Sequence, residues 1–88
     1  MEPGAQSQPM REMTFGEKAV GLTFNPSNDP NVDKIKTQFT AVIDTLDNLR
    51  GGGGNESPGP DAARMLSIAI TEAQTAQMWA VKAVTWKF

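Results

Sequence analysis

Gly21-Leu22-Thr23-Phe24-Asn25-Pro26-Ser27-Asn28-Asp29-Pro30, followed by Asn31-Val32-Asp33-Lys34-Ile35-Lys36, is the stretch that decides the fold. It joins an aromatic ring, a loop of turn-forming residues and a helix start that carries two lysines. Asn, Pro, Ser and Asp favour turns through a fixed φ or through local side-chain hydrogen bonds. Asp29 is a favourable N-cap, and Pro30 suits the first helical position because its missing N–H needs no partner there. A long helix is therefore predicted to begin at Pro30.

Helix one is predicted from about residue 30 to Leu49 or Arg50, because its apolar residues are spaced three and four apart. Ile43 widens the seam that these residues form on one face. Gly51 is a natural residue to follow the helix end. The seam consists of Val32, Ile35, Phe39, Val42, Leu46 and Leu49.

Residues 51–59 contain four consecutive glycines and are predicted to be a flexible connector that holds neither helix nor strand. A phosphate-cradling loop is a weak alternative, since no strand precedes the run and no Gly-Lys-Ser/Thr sequence ends it. Helix two is then predicted over about residues 60–86, antiparallel to helix one.

Helix two carries apolar residues around nearly its whole circumference, which one neighbouring helix cannot cover. Self-association is therefore predicted. Trp79 and Trp86 share a face, either as a stacking platform for bases or as part of an oligomer core. Aromatic stripes at helical spacing more often form cores, so the second interpretation is favoured.

Residues 1–13 are polar, rich in Gln and Pro, and predicted to form a disordered tail. Leu22 and Phe24 alternate with smaller residues and suggest an extended segment, whereas Thr14 with Glu17 would cap one helical turn instead. The fold expected for residues 14–88 is all-α: an antiparallel helical hairpin with a short N-terminal arm, assembling into an oligomeric helical bundle.

Composition excludes several classes of function. The 88 residues include neither Cys nor His, so the usual catalytic bases, nucleophiles and metal ligands are missing, and neither an enzyme, a metal site nor a cofactor is expected. A net charge of −2 argues against binding long nucleic acid. No apolar run approaches the roughly 20 residues that span a bilayer, and no signal peptide is evident. A cytosolic protein with no membrane association is expected.

A candidate ligand site lies at the start of helix one. Lys34 and Lys36 stand near free backbone N–H groups, where an anion such as phosphate is favoured. Phe24 offers a face for stacking a base, and Asn25 can bond to a base edge or a phosphate. A nucleotide-sized ligand and a plain hydrophobic staple with two solvated lysines fit the residues about equally well.

Two longer strings carry a family resemblance. One is Phe-Gly-Glu-Lys-Ala-Val-Gly-Leu-Thr-Phe-Asn-Pro-Ser-Asn-Asp-Pro, and the other contains Met-Trp-Ala-Val-Lys-Ala near the end of helix two. From about Phe15 to Trp86 the chain resembles a phage hairpin-domain family of anti-CBASS sponges and related Thoeris anti-defence sponges. Some relatives carry Tyr where Phe24 stands, so this chain keeps the ring and lacks the hydroxyl.

The resemblance implies a protein that sequesters cyclic oligonucleotide or cyclic ADP-ribose signals in the cytoplasm of an infected bacterial host without cleaving them. The expected ligands are cyclic dinucleotides such as cyclic GMP-AMP, together with cyclic trinucleotides and cyclic ADP-ribose isomers. It further implies a homohexamer with ligands held between protomers. The aromatic-Asn-Pro element falls on Phe24, Asn25 and Pro26, the lysine on Lys36 or Lys34, and a second pocket would use Arg64. The alternative is a structural or protein-interaction oligomer with no nucleotide ligand.

Overall fold

A computed structural model describes residues 11–87 of the protein, and this part of the chain folds entirely into helices and connecting turns. Helix α1 spans Phe15–Val20, α2 spans Pro30–Leu49 and α3 spans Pro60–Val84, with one 3-10 turn at Gly52–Gly54 between α2 and α3. The all-α prediction is confirmed. Residues 1–10 of the expected tail lie outside the described residues.

Helix α1 begins with a capping box. The hydroxyl of Thr14 accepts the backbone N–H of Glu17 at 3.1 Å, and the Glu17 carboxylate accepts the N–H of Thr14 at 2.8 Å. Gly21 ends the helix with φ 63°, a left-handed conformation that favours glycine. The capped turn is thus the correct interpretation of this segment. The extended alternative is wrong because residues 21–23 form a turn.

Helix α2 starts as the sequence predicts. The carboxylate of Asp29 accepts the N–H of Asn31 at 2.8 Å, and Pro30 occupies the first turn. The buried face, however, is formed by Val32, Lys36 and Ile43.

The predicted seam of α2 is only partly buried, since Val42 and Leu49 remain about half exposed. A seam of this kind describes contact with one partner helix, but α2 packs against both α1 and α3. The core therefore centres on Ile43, which is fully buried and meets Val20 of α1 and Ile70 of α3.

The glycine run contains a single 3-10 turn at Gly52–Gly54, in which Gly53 has non-helical dihedral angles (φ 64°, ψ 25°). The side-chain amide of Asn55 donates to the carbonyl of Gly52 at 2.7 Å and closes the turn. Gly51, Gly53 and Gly54 all have positive φ, which glycine adopts without a steric penalty. The run is thus a closed turn between α2 and α3 and not a regular helix, as expected of a connector.

Helix α3 returns alongside α2. The Arg50 guanidinium donates to the Ser67 hydroxyl at 2.9 Å, which ties the end of α2 to the beginning of α3. Farther along, the Gln74 amide reaches the carbonyl of Ala19 at the end of α1. Helix α3 ends at Val84, so Trp86 follows the helix rather than lying within it. The C-terminal part of α3 consequently runs beside the N-terminal part of α2.

Candidate ligand-binding site

The loop of residues 21–29 presents Phe24 at the start of α2, and we call it the Phe24 loop. The ring of Phe24 is 69% exposed. Its backbone N–H donates to the carbonyl of Gly21 at 2.9 Å, which closes a tight turn just before the ring. An exposed aromatic ring on a backbone held by hydrogen bonds is available to stack against a flat ligand.

Lys36 holds this turn from beneath. Its side chain is 5% exposed, and its ammonium donates to the carbonyls of Gly21, at 3.0 Å, and of Phe24. The same nitrogen lies 5.5 Å from the centroid of the Phe24 ring, within the range of a cation–π contact. An ammonium has three N–H donors, so two are used within the protomer.

Asn25 is similarly engaged within the Phe24 loop. Its amide nitrogen donates to the backbone carbonyl of Asp29 and to the carboxylate of Asp33, both at 3.0 Å. Its amide oxygen accepts the Ser27 hydroxyl at 2.7 Å. Both amide protons are therefore used in fixing the loop against α2, and only acceptor capacity remains at the oxygen.

The other predicted site residues are exposed. Pro26 lies on the Phe24 loop, Lys34 in the second turn of α2, and Arg64 in the second turn of α3. Because Ile43 and Ile70 meet in the core, the helical rise places Lys36 and Arg64 about 20 Å apart along the hairpin. One protomer therefore brings together Phe24, Asn25, Pro26 and Lys36. Lys34, two residues before the buried Lys36, lies on another face of α2, and Arg64 lies at the opposite end of the hairpin.

A second aromatic site lies on the outer side of α3, and we call it the aromatic patch. A shallow groove of about 370 Å³ is lined by Trp79, Lys82, Ala83 and Trp86. The Lys82 ammonium lies 6.0 Å from the Trp79 ring centroid and 5.7 Å from that of Trp86. Both indoles are more than half exposed. The lysine is the member that sequence analysis missed, although its spacing of three and four residues from the tryptophans indicates a shared face.

At the start of α1, the environment of Glu17 shifts the pKa of its carboxylate. Arg11 donates two hydrogen bonds to Glu17, at 3.1 and 2.8 Å, and these together with the Thr14 N–H lower the pKa of Glu17 below its ordinary value. Within residues 11–87, no cluster of acidic side chains has the arrangement of a metal site. No helix in the same range is long and apolar enough to cross a membrane.

Comparison with known protein families identifies this architecture. The family described as Acb2/Tad1, hairpin domain, matches residues 17–85, which is most of the chain.

This chain belongs to the Acb2/Tad1 hairpin-domain family.

The resemblance to anti-CBASS and anti-Thoeris sponges is thereby confirmed. No curated protein and no solved structure matches the chain. The match to this hairpin domain includes the Phe24 loop, all of α2 and α3, and Trp79, and it ends one residue before Trp86.

Proposed function

We propose that this protein binds cyclic oligonucleotide or cyclic ADP-ribose second messengers of bacterial defence systems and sequesters them without cleavage. It would act for a phage in the cytoplasm of the infected host. Membership of the hairpin-domain family supports the proposal. The observation that carries it is the exposed Phe24 ring, which lies at a helix N-terminus on a loop that Lys36 and Asn25 hold in place.

Each residue of the Phe24 loop has a distinct role in this proposal. Phe24 stacks a base, because an aromatic face accepts any base. Asn25 uses its remaining oxygen capacity toward a base edge, and Pro26 borders the ring. Since the structure engages both amide protons of Asn25 within the loop, accepting a hydrogen bond is the contact it can make most directly.

The two lysines differ in how they would meet a phosphate. Lys34 is exposed and has no partner among residues 11–87, so its ammonium can pair with phosphate directly. Lys36 retains one N–H donor beyond its two carbonyl bonds, and that donor can contribute a charge-assisted hydrogen bond. The positive end of the α2 dipole favours the same anion.

The ligand would lie between protomers of a homohexamer, and this part of the proposal rests on the family. It agrees with the open character of the site, since Phe24 is 69% exposed in its own protomer, which contributes the Lys36 ammonium against the ring. Arg64, exposed at the far end of the hairpin, is the proposed cation of a second pocket for cyclic trinucleotides. Sequestration without turnover agrees with a chain that has no His and no Cys.

Calorimetry with cyclic GMP-AMP, a cyclic trinucleotide and a cyclic ADP-ribose isomer tests the proposal. At least one of these ligands should bind, and mass spectrometry should recover it unaltered after the protein is heated. Phe24→Ala should weaken binding by about 5- to 150-fold, the range for removing one stacking partner. Phe24→Tyr is the matched control because it keeps the ring. Absence of binding to every ligand in the panel would contradict the proposal.

Charge-reversal variants test the contribution of the lysines to ligand binding independently of the Phe24 ring. Lys34→Glu should weaken the same ligand without changing the fold, because Lys34 makes no contact that an exposed glutamate would break. Lys36→Glu is less informative, since it also releases the carbonyls of Gly21 and Phe24. The same panel tests the alternative, a helical structural or protein-interaction oligomer favoured by the exposed indoles of α3, which predicts assembly without nucleotide affinity.

A further inference from the structure

The side-chain amide of Asn25 is held at both of its ends. Its nitrogen donates to the backbone carbonyl of Asp29 and to the carboxylate of Asp33, each at 3.0 Å. Its oxygen accepts the Ser27 hydroxyl at 2.7 Å, and that hydroxyl in turn accepts the Asp29 N–H at 3.1 Å. These four hydrogen bonds fix the amide on the loop that carries Phe24.

The partners of Asn25 also determine which end of its amide is available to a ligand. A carbonyl and a carboxylate can only accept hydrogen bonds, so both must face the amide nitrogen. Turning the amide over would break both bonds and place its oxygen against two other oxygens. In the observed orientation both N–H groups are used, and the oxygen keeps one lone pair. Asn25 therefore meets a ligand as a hydrogen-bond acceptor.

Asp33 is an unexpected residue beside a site that takes an anion. Its side chain is exposed in the first turn of α2 and forms no ion pair within residues 11–87. The helix dipole favours an acidic residue here, but Asp29 already places a carboxylate at the N-cap of the same helix. A second carboxylate repels a phosphate that approaches this helix end. Within residues 11–87 the Asp33 side chain bonds only to the Asn25 amide, and this bond gives it a role at the site.

We propose that Asp33 is a positioning residue that sets the base specificity of the Phe24 loop by holding Asn25 as an acceptor. The inference rests on the function proposed above. A base stacked on Phe24 has to bring an N–H donor to the Asn25 oxygen. An exocyclic amino group projects beyond the base ring and has two N–H bonds, so it reaches this acceptor in more than one orientation of the base. The loop therefore favours cyclic nucleotides whose stacked base carries an amino group, as adenine, guanine and cytosine do.

Matched analogues of cyclic GMP-AMP test the selectivity. In one analogue purine replaces adenine, and in the other hypoxanthine replaces guanine, so each lacks one amino group and keeps both phosphates. In calorimetry, at least one analogue should bind the wild type about 3- to 10-fold more weakly than cyclic GMP-AMP, the factor for one lost hydrogen bond. Asp33→Ala should bring this ratio close to one, because the freed Asn25 amide can turn and donate to acceptors that the analogue retains. The charge removed at position 33 affects both ligands alike and cancels in the ratio.

Two further variants isolate the pathway from Asp33 to the ligand. Thr37→Ala, exposed one turn farther along the same face of α2, is the matched control and should keep the wild-type ratio. In an Asn25→Ala background the ratio should already be near one, and Asp33→Ala should not change it further, because Asp33 acts through Asn25. A wild-type ratio near one for both analogues, or a ratio that Asp33→Ala leaves unchanged, would overturn the inference and leave the proposed function standing. Absence of binding to every cyclic nucleotide would instead overturn the proposed function itself.

Side-chain amide exchange tests the positioning without any ligand. In nuclear magnetic resonance spectra of the free protein, the amide protons of Asn25 should exchange with water more slowly than those of the exposed Asn31 side chain. Asp33→Ala should speed the exchange of the Asn25 protons by about 2- to 10-fold, the equilibrium factor for one hydrogen bond, and Thr37→Ala should leave it unchanged. Equal Asn25 exchange rates in the wild type and Asp33→Ala would show that Asp33 does not hold the amide, and would overturn the inference even where a ligand binds.

Discussion

Two regions of the molecule combine a lysine with aromatic rings, and they use the lysine in opposite ways. At the Phe24 loop, Lys36 is buried and spends two donors on backbone carbonyls beneath a single ring. At the aromatic patch, Lys82 lies between two exposed indoles and has no carbonyl or carboxylate partner within residues 11–87. The first lysine completes a structure inside the protomer, and the second remains exposed between its two rings.

The contrast arises from the backbone near each lysine. Gly21 turns the chain through a left-handed conformation, which brings two carbonyls over the α2 face that carries Lys36. Lys82 lies in the last turn of α3, where the carbonyl of Val81 accepts the Thr85 N–H and the carbonyl of Ala83 accepts the Trp86 N–H. Lys36 therefore becomes part of the fold because a turn brings carbonyls to it, whereas Lys82 stays exposed on the outer side of α3.

The largest effect on the free energy of unfolding is expected from replacing the buried Lys36. Lys36→Met leaves the carbonyls of Gly21 and Phe24 without their charged donor, which should lower the free energy of unfolding by about 2 to 4 kcal/mol. Lys82→Met removes only exposed cation–π contacts and should cost less than about 1 kcal/mol. Urea unfolding at a protein concentration low enough to dissociate oligomers measures both. If the two variants lost equal free energy of unfolding, Lys36 and Lys82 would not differ in their contribution to the fold of the protomer.

The packing of α1 on α2 supports the Phe24 loop. Disturbing this packing should give the next largest loss of stability. The N–H of Gly16 donates to the Asp44 carboxylate at 2.6 Å, and a Cβ at this position would lie 2.6 Å from the Thr40 carbonyl. Gly16→Ala must push α1 away from α2, at a cost of about 1 to 3 kcal/mol. Thermal unfolding followed by circular dichroism measures it, with Lys18→Ala on the exposed side of α1 as the control. A stable Gly16→Ala protein would show that α1 is loosely attached.

The starts of the helices could be predicted well from the sequence. Asp29 followed by Pro30 marks the start of α2, and Thr14 with Glu17 marks α1, because both depend on hydrogen bonds within a few residues. The sequence does not predict which lysine turns inward. Periodicity describes positions on a helix, whereas the burial of Lys36 depends on carbonyls that the turn at Gly21 supplies from outside α2. The hydrogen bond that closes the glycine run was not predicted for a related reason, since Asn55 donates it from beyond the four glycines.

A pH dependence follows from the capping box of α1. The pKa of Glu17 is lowered by Arg11 and by the Thr14 N–H, so the folded state binds this proton less readily than the unfolded chain. Its contribution to stability is therefore complete above the ordinary glutamate value of about 4.3 and is lost as the pH falls through the lower folded value. The stability difference between the wild type and Glu17→Gln should shrink across that acidic range. A difference that is constant with pH would exclude the ionised carboxylate as its source.

The smallest effect on the stability of the protomer is expected at Trp79. This variant is also the sharpest test of the difference between the Phe24 loop and the aromatic patch. Its indole is 67% exposed and contacts Lys82, so Trp79→Ala should change the free energy of unfolding of an isolated protomer by less than about 1 kcal/mol. In the proposed oligomer, the exposed indole of Trp79 would have its effect in association, where aromatic anchors carry much of the binding energy. Trp79→Ala should therefore abolish the increase in melting temperature with protein concentration that an assembling protein shows, while Phe24→Ala should leave that increase unchanged. If Trp79→Ala destabilised a dilute protomer as much as Lys36→Met does, the outer side of α3 would belong to the fold of the single chain, and the difference between the two lysines would be one of exposure alone.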